Sequence, residues 1–219
     1  MIHWTKIILI VSDLPVLVAA VIALISIRSK DKCTRIFSLF LLFSALIQIT
    51  ALIFWLLHRN NMPLLHFYVP GGFILLSLFY ATILKNLINT RIITTITIVF
   101  VLYSIINSIF IQKVSTFNSY ALSIESVLLI ILSIFTFLVF LNQKKDSLSA
   151  QEITGLTWIN SGIFLYYTAD LLLFYFGNYI MNRLSVSASS YTWVFHSFYS
   201  IVMNTFFIIG LWKRRRKYL

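Results

Sequence analysis

Seven long apolar runs dominate this chain and leave it only one solvent in which to fold. They cover roughly 6–28, 36–57, 64–84, 92–112, 119–141, 155–177 and 190–212. Each is close to the ~20 residues that a helix needs to cross the hydrocarbon of a bilayer. Lipid offers the backbone no hydrogen-bond partners, so each run has to be helical. A barrel would instead show strands of about ten residues with alternating polarity. Composition agrees: 60% of the 219 residues are hydrophobic and only 11% charged, where a soluble domain carries about a quarter. The expectation is one all-α domain over 1–219, a polytopic membrane bundle of seven transmembrane helices. The first run is too long for a cleaved leader, holds Asp13 and Pro15, and ends in a basic cluster. It reads as an uncleaved helix.

Orientation follows from the basic residues. The first, third and fifth connections and the C-terminal tail hold thirteen of the seventeen lysines and arginines; the other side holds four. Positive loops stay in the cytoplasm, which puts the N-terminus outside and the C-terminus inside. Trp4, Trp55 and Trp193 fall at predicted outer ends and Trp212 at an inner end, as expected of interfacial tryptophan. The net charge of +11 therefore sets topology rather than marking a nucleic-acid surface. The run Lys213-Arg214-Arg215-Arg216-Lys217 is expected at the cytoplasmic membrane surface, against anionic lipid or a partner. Cys33 is the one cysteine, so no intrachain disulfide forms.

Six acids are present. Asp31, Asp146 and Glu152 lie in cytoplasmic connections and read as solvated charges. Asp13, Glu125 and Asp170 lie within apolar runs, where an ionisable group is costly and marks function. Counting along each helix at ~1.5 Å per residue puts all three roughly 10 Å below the outer surface. His196 falls at similar depth, and His66 begins the third helix on that side. Tyr68, Tyr120, Tyr166, Tyr167, Tyr175 and Tyr199 also favour the outer half. The pattern predicts an outward-facing polar cavity ringed by Asp13, His66, Glu125, Tyr167, Asp170 and His196. Each acid also admits a plainer reading as a carboxyl hydrogen-bonded to a neighbouring helix, and His58 and His66 read as interfacial residues. With no lysine or arginine at that depth, the site must recruit a cation or hold a proton, with His196 and then His66 as the side chains that can supply positive charge within the bundle.

Several chemistries lack their residues. No lysine sits mid-helix for a retinal Schiff base, and neither His-x-x-x-His nor His-Glu-x-x-His occurs. Three histidines and three acids on one side keep a divalent metal as a candidate occupant. Gly71-Gly72, after Pro70, is a predicted break or kink of the third helix.

Phe117-Asn118-Ser119-Tyr120 leading into Glu125-Ser126-Val127-Leu128-Leu129, Trp158-Ile159-Asn160-Ser161-Gly162 with Tyr166-Tyr167, and Ile209-Gly210-Leu211-Trp212-Lys213 resemble segments of an uncharacterised group of bacterial seven-helix membrane proteins. Proteins of that group are often encoded near sensor histidine kinases or resemble their membrane part. The resemblance implies a sensory role in a bacterial cytoplasmic membrane, with a cytoplasmic signalling partner such as a histidine kinase. The chain departs from that pattern at Pro70-Gly71-Gly72, where an acid would be expected, and at Asp170, where asparagine is more usual. Beside a receptor or sensor stand two alternatives: a lipid-active membrane enzyme using acid–base or metal-assisted chemistry, and a proton-coupled transporter.

The charge count is checked by labelling single cysteines introduced into a Cys33→Ala background. An impermeant maleimide on intact cells is expected to modify Ser185→Cys and to spare Ser147→Cys until the membrane is opened. The reverse pattern would overturn the orientation.

Overall fold

The computed structural model describes residues 8, 10–142 and 149–215, the last without its side chain. Their regular structure is helical, with no strand. In chain order the helices are α1 (Leu14–Ser26), α2 (Lys32–Leu56), α3 (Met62–Leu84), α4 (Thr90–Ile106), α5 (Ser119–Asn142), α6 (Ala150–Arg183) and α7 (Val186–Arg215). A π-helical turn, Asn107–Ile111, extends α4. Six of these helices are long and apolar enough to cross a membrane, and α1 is a shorter apolar helix.

The shortness of α1 corrects the expected run of 6–28. Pro15 occupies its first turn, and a proline there has no N–H to continue a preceding helix and crowds the carbonyl four residues back. Helicity therefore lapses at Ser12 and Asp13. In α3 the outcome is the opposite. The helix runs unbroken through Pro70 and both glycines, with the Phe43 ring lying against Gly71.

α6 and α7 are longer than their apolar runs, at 34 and 30 residues. Hydropathy marks only the lipid-contacting part. A capping box, Ser149 with Glu152, starts α6 well before Gly155. Glu152 is thus mostly buried and bound to its own helix terminus, not a free solvated charge. The expected connection 178–189 is helix except at residues 184–185. Asp146 and the first half of the connection 143–154, residues 143–148, lie outside the described residues; Trp4, Arg216 and Lys217 lie outside them too.

Six helices close a ring in the order α1, α2, α3, α5, α6, α7 and back to α1, while α4 packs outside against α3. Small residues bring α6 and α7 together. A Cβ on Gly155 would lie 2.8 Å from the Gly210 carbonyl, and one on Gly210 would lie 2.7 Å from the Gly155 carbonyl. Only glycine at both positions permits that approach. In the middle of the bundle Tyr80, Ser133 and Asn160 tie α3, α5 and α6. The Tyr80 hydroxyl meets Ser133 Oγ at 2.7 Å and donates to Asn160 Oδ1 at 3.0 Å, and Asn160 Nδ2 donates to the Ser133 carbonyl at 3.0 Å. On the side where α2 begins, phenylalanines fill the ring. Phe37 packs on Phe79 and Phe207 with centroids 5.1 and 4.9 Å apart.

Below that plug lies an ion pair that corrects two expectations. Asp31 is not a free loop charge, and Arg214 is not a surface cation. Asp31 Oδ2 caps α2 by accepting from the Thr34 backbone N–H at 2.8 Å and its hydroxyl at 2.6 Å. Arg214, 3% exposed, donates from Nη2 to the same carboxylate and from Nε to Thr34 Oγ1 at 2.8 Å. Its stem crosses α6 at Gly155, where a Cβ would stand 2.5 Å from Arg214 Cγ. Lys213 is half-buried beside it.

Burial pushes the Asp31 carboxyl up, but the Arg214 charge and the Thr34 hydrogen bonds outweigh it and hold it below the usual carboxylate range. A depressed folded-state pKa gives stability that is present above the unfolded value, ~3.9, and lost as pH falls through the folded value. The detergent-solubilised protein is therefore expected to lose stability on acidification below about pH 4. Asp31→Asn, which strands a buried guanidinium, is expected to cost about 2 kcal/mol near neutrality and to flatten that acid limb. An unchanged acid limb in the variant would refute the coupling.

Candidate functional site

A cavity of about 680 Å3 occupies the half of the ring away from the Asp31–Arg214 pair. α1, α2, α3, α6 and α7 line it, and Phe40 and Phe207 form its floor where they meet the phenylalanine plug. Trp55, Asn61, Met62 and Leu184 lie at the opposite limit, among the helix ends. The connection 112–118 reaches the wall through Phe117, whose ring leaves no room for a Cβ on Gly177. Asn178 Nδ2 fixes this connection by donating to the Phe117 carbonyl at 2.8 Å.

Two polar pairs border the cavity. Asp13 lies just before α1, where its backbone is turned by the Pro15 start. Its Oδ1 accepts from Gln48 Nε2 at 2.7 Å, and both residues line the space. One turn from Gln48 on α2, Ser44 Oγ lies 3.3 Å from the Tyr68 hydroxyl. The second pair is His196 of α7 with Asp170 of α6. His196 Nδ1 lies 2.8 Å from Asp170 Oδ2. The imidazole is 24% exposed and the carboxylate is fully buried. A carboxylate accepts, so Nδ1 carries the proton of this bond. Tyr166, Phe174 and Trp193 surround the imidazole, with centroids 5.6–5.8 Å away.

The structure thus brings Asp170 and His196 together and sets Asp13 and His196 on one cavity. It separates the remaining expected residues from that space. Glu125 is fully buried on α5, and neither carboxyl oxygen has a hydrogen-bond partner among the described residues. Tyr68, Tyr166 and Tyr167 are its electrostatic neighbours, and the first two stand on the cavity wall. Tyr167 is buried and does not line the cavity.

His66 also lies apart from the cavity lining. Nδ1 meets Ser108 Oγ at 2.8 Å, and Nε2 meets the Thr116 carbonyl at 3.0 Å. A carbonyl only accepts, so Nε2 donates. One nitrogen ties α3 to the π-helical turn and the other to the connection 112–118, so both are occupied. Among the described residues no three of His, Cys, Asp or Glu converge in a metal-ligand set. Reading the sequence alone missed Gln48, Ser44 and the tryptophans as lining residues. Gln48 carried a usable signal, as a long amide in the middle of an apolar run.

No family model, curated protein or solved structure matches this chain.

The Asp170–His196 pair can be tested by stability. Truncation by His196→Ala leaves a buried carboxylate unpaired and is expected to cost about 3 kcal/mol. Asp170→Asn keeps an acceptor for the imidazole and is expected to cost about 1 kcal/mol. Thermal melts of the purified protein decide the order; equal losses would show that the pair is not bonded as described.

Proposed function

We propose that this chain is a membrane receptor or sensor module that spans the bilayer seven times, with its N-terminus outside. It binds a small ligand in the outward-facing cavity and signals to a cytoplasmic partner. The observation that carries this reading is the shared role of α2 and α7. Both line the cavity, and the same two helices meet again beyond the phenylalanine plug through Asp31 and Arg214. A ligand wedged between them bears on a contact at the other end of the bundle, which the distribution of basic residues assigns to the cytoplasm. The volume falls within the ~300–1,000 Å3 of small-molecule sites, and the lining has their character, mostly apolar with a few placed polar groups. The resemblance of α5 to α7 to a group associated with histidine kinases points the same way, to a bacterial cytoplasmic membrane and a kinase-like partner.

Affinity purification from native membranes is expected to recover a recurring signalling protein, and deletion is expected to change a defined set of transcripts. Glu125→Gln and Asp170→Asn are expected to keep normal membrane levels and lose the transcript response. Absence of both a partner and a transcript change would sink the reading.

A further inference from the structure

The cavity carries a charge signature opposite to that of the chain. Seventeen lysines and arginines give the protein a net charge of +11, yet none of the described ones lines the cavity. Its ionisable lining groups are Asp13 and His196, the latter backed by the buried Asp170. If the imidazole is neutral, Asp170 adds a negative charge to that of Asp13. If it is protonated, the pair cancels and Asp13 still leaves the cavity negative. Asp13 is half-buried, and among the described residues its Oδ1 accepts from the neutral amide of Gln48. No described lysine or arginine lines the cavity to compensate the ionised carboxylate. Around it the lining is largely apolar and aromatic, with Trp55, Tyr68, Tyr166 and Trp193 among its wall residues. Aromatic faces attract cations within ~6 Å of the ring centre, while an anion would enter low-dielectric surroundings against a carboxylate.

The geometry points to a lipophilic cation as the ligand class of this cavity, its charge set against Asp13 and its apolar groups lying between α2 and α7. This rests on the cavity being the ligand site of the proposed receptor and adds the sign and polarity of what it takes.

The experiment uses three probes of related shape and different charge: tetraphenylphosphonium, tetraphenylborate and neutral triphenylphosphine oxide. Binding to the full-length protein in nanodiscs is read from tryptophan quenching, with protein-free nanodiscs as the blank. Tetraphenylphosphonium is expected to bind saturably, at least tenfold tighter than either other probe. Asp13→Asn keeps an acceptor for Gln48 and is expected to weaken the phosphonium at least tenfold while leaving the oxide within twofold; Asp13→Glu is expected to restore the preference. Should Asp13→Asn not fold, Ser189→Lys at the cavity wall serves instead, and is expected to abolish the preference for the cation. Equal binding of phosphonium and borate, or a preference unmoved by these variants, overturns the charge assignment but leaves a ligand cavity standing. Saturable binding of none of the three overturns both the inference and the reading of the cavity as a ligand site.

Discussion

The close approach of α6 and α7 across Gly155 and Gly210 is the contact on which the rest of the structure depends. Two backbones that meet at van der Waals distance fix the register of two antiparallel helices over their whole length. Asp170 stands fifteen residues beyond Gly155 on α6, and His196 stands fourteen before Gly210 on α7. At ~1.5 Å per residue these positions rise to within about 1.5 Å of the same height. Gly162 lies between, against the Met203 carbonyl 3.1 Å from where its Cβ would be, as an intermediate rung of the same ladder. The hydrogen bond of His196 to Asp170 is thus placed by glycine packing two-thirds of a membrane away. The same approach clears the path along which Arg214 crosses α6 to reach Asp31.

A bundle in lipid gains nothing from apolar contact that the lipid does not already give, so helix pairing leans on close packing and on polar bonds between helices. The polar groups here are distributed accordingly. Tyr80, Ser133 and Asn160 lock α3, α5 and α6 in the middle; Asp31 and Arg214 join α2 to α7 at one end; Asp13 and Gln48 join α1 to α2 at the other. The phenylalanine plug closes the ring on the side of the buried ion pair, and no comparable plug fills the other half. One end is consequently tied by charge and aromatic packing, and the other keeps a cavity between the same helices.

What the sequence revealed depended on which coordinate the feature needed. Depth along a helix is linear in residue number, so the shared height of Asp170 and His196 was legible. Angle around the helix was not, because nearly every position of these runs is apolar and no stripe tells the inner face from the lipid face. That is why Glu125, His66 and Tyr167 were placed on the cavity although the structure sets them behind or beside it. Helix ends were misjudged for a related reason. Hydropathy ends where lipid ends, while α6 and α7 continue through polar residues held by a capping box and by a two-residue link. Asp31, Glu152 and Arg214 looked like solvated charges because a charge near a helix end has the same sequence context whether it is free or paired. Only the fold, which brings residue 31 beside residue 214, distinguishes the cases.

Glu125 shows how the two ends of this reasoning meet. It is fully buried and lines no part of the cavity, while Tyr68 and Tyr166, its electrostatic neighbours, are themselves wall residues. Tyr68 is held by Ser44 of α2, one turn from the Gln48 that holds Asp13. Tyr166 packs on His196 of α7. A ligand that shifts either tyrosine must therefore disturb α2 or α7, and it also alters the surroundings of a carboxyl that has no other polar partner among the described residues. On the proposed receptor reading, the wall that a ligand would press includes two tyrosines beside a buried carboxyl with no hydrogen-bond partner among the described residues, although α5 itself lines no part of the cavity.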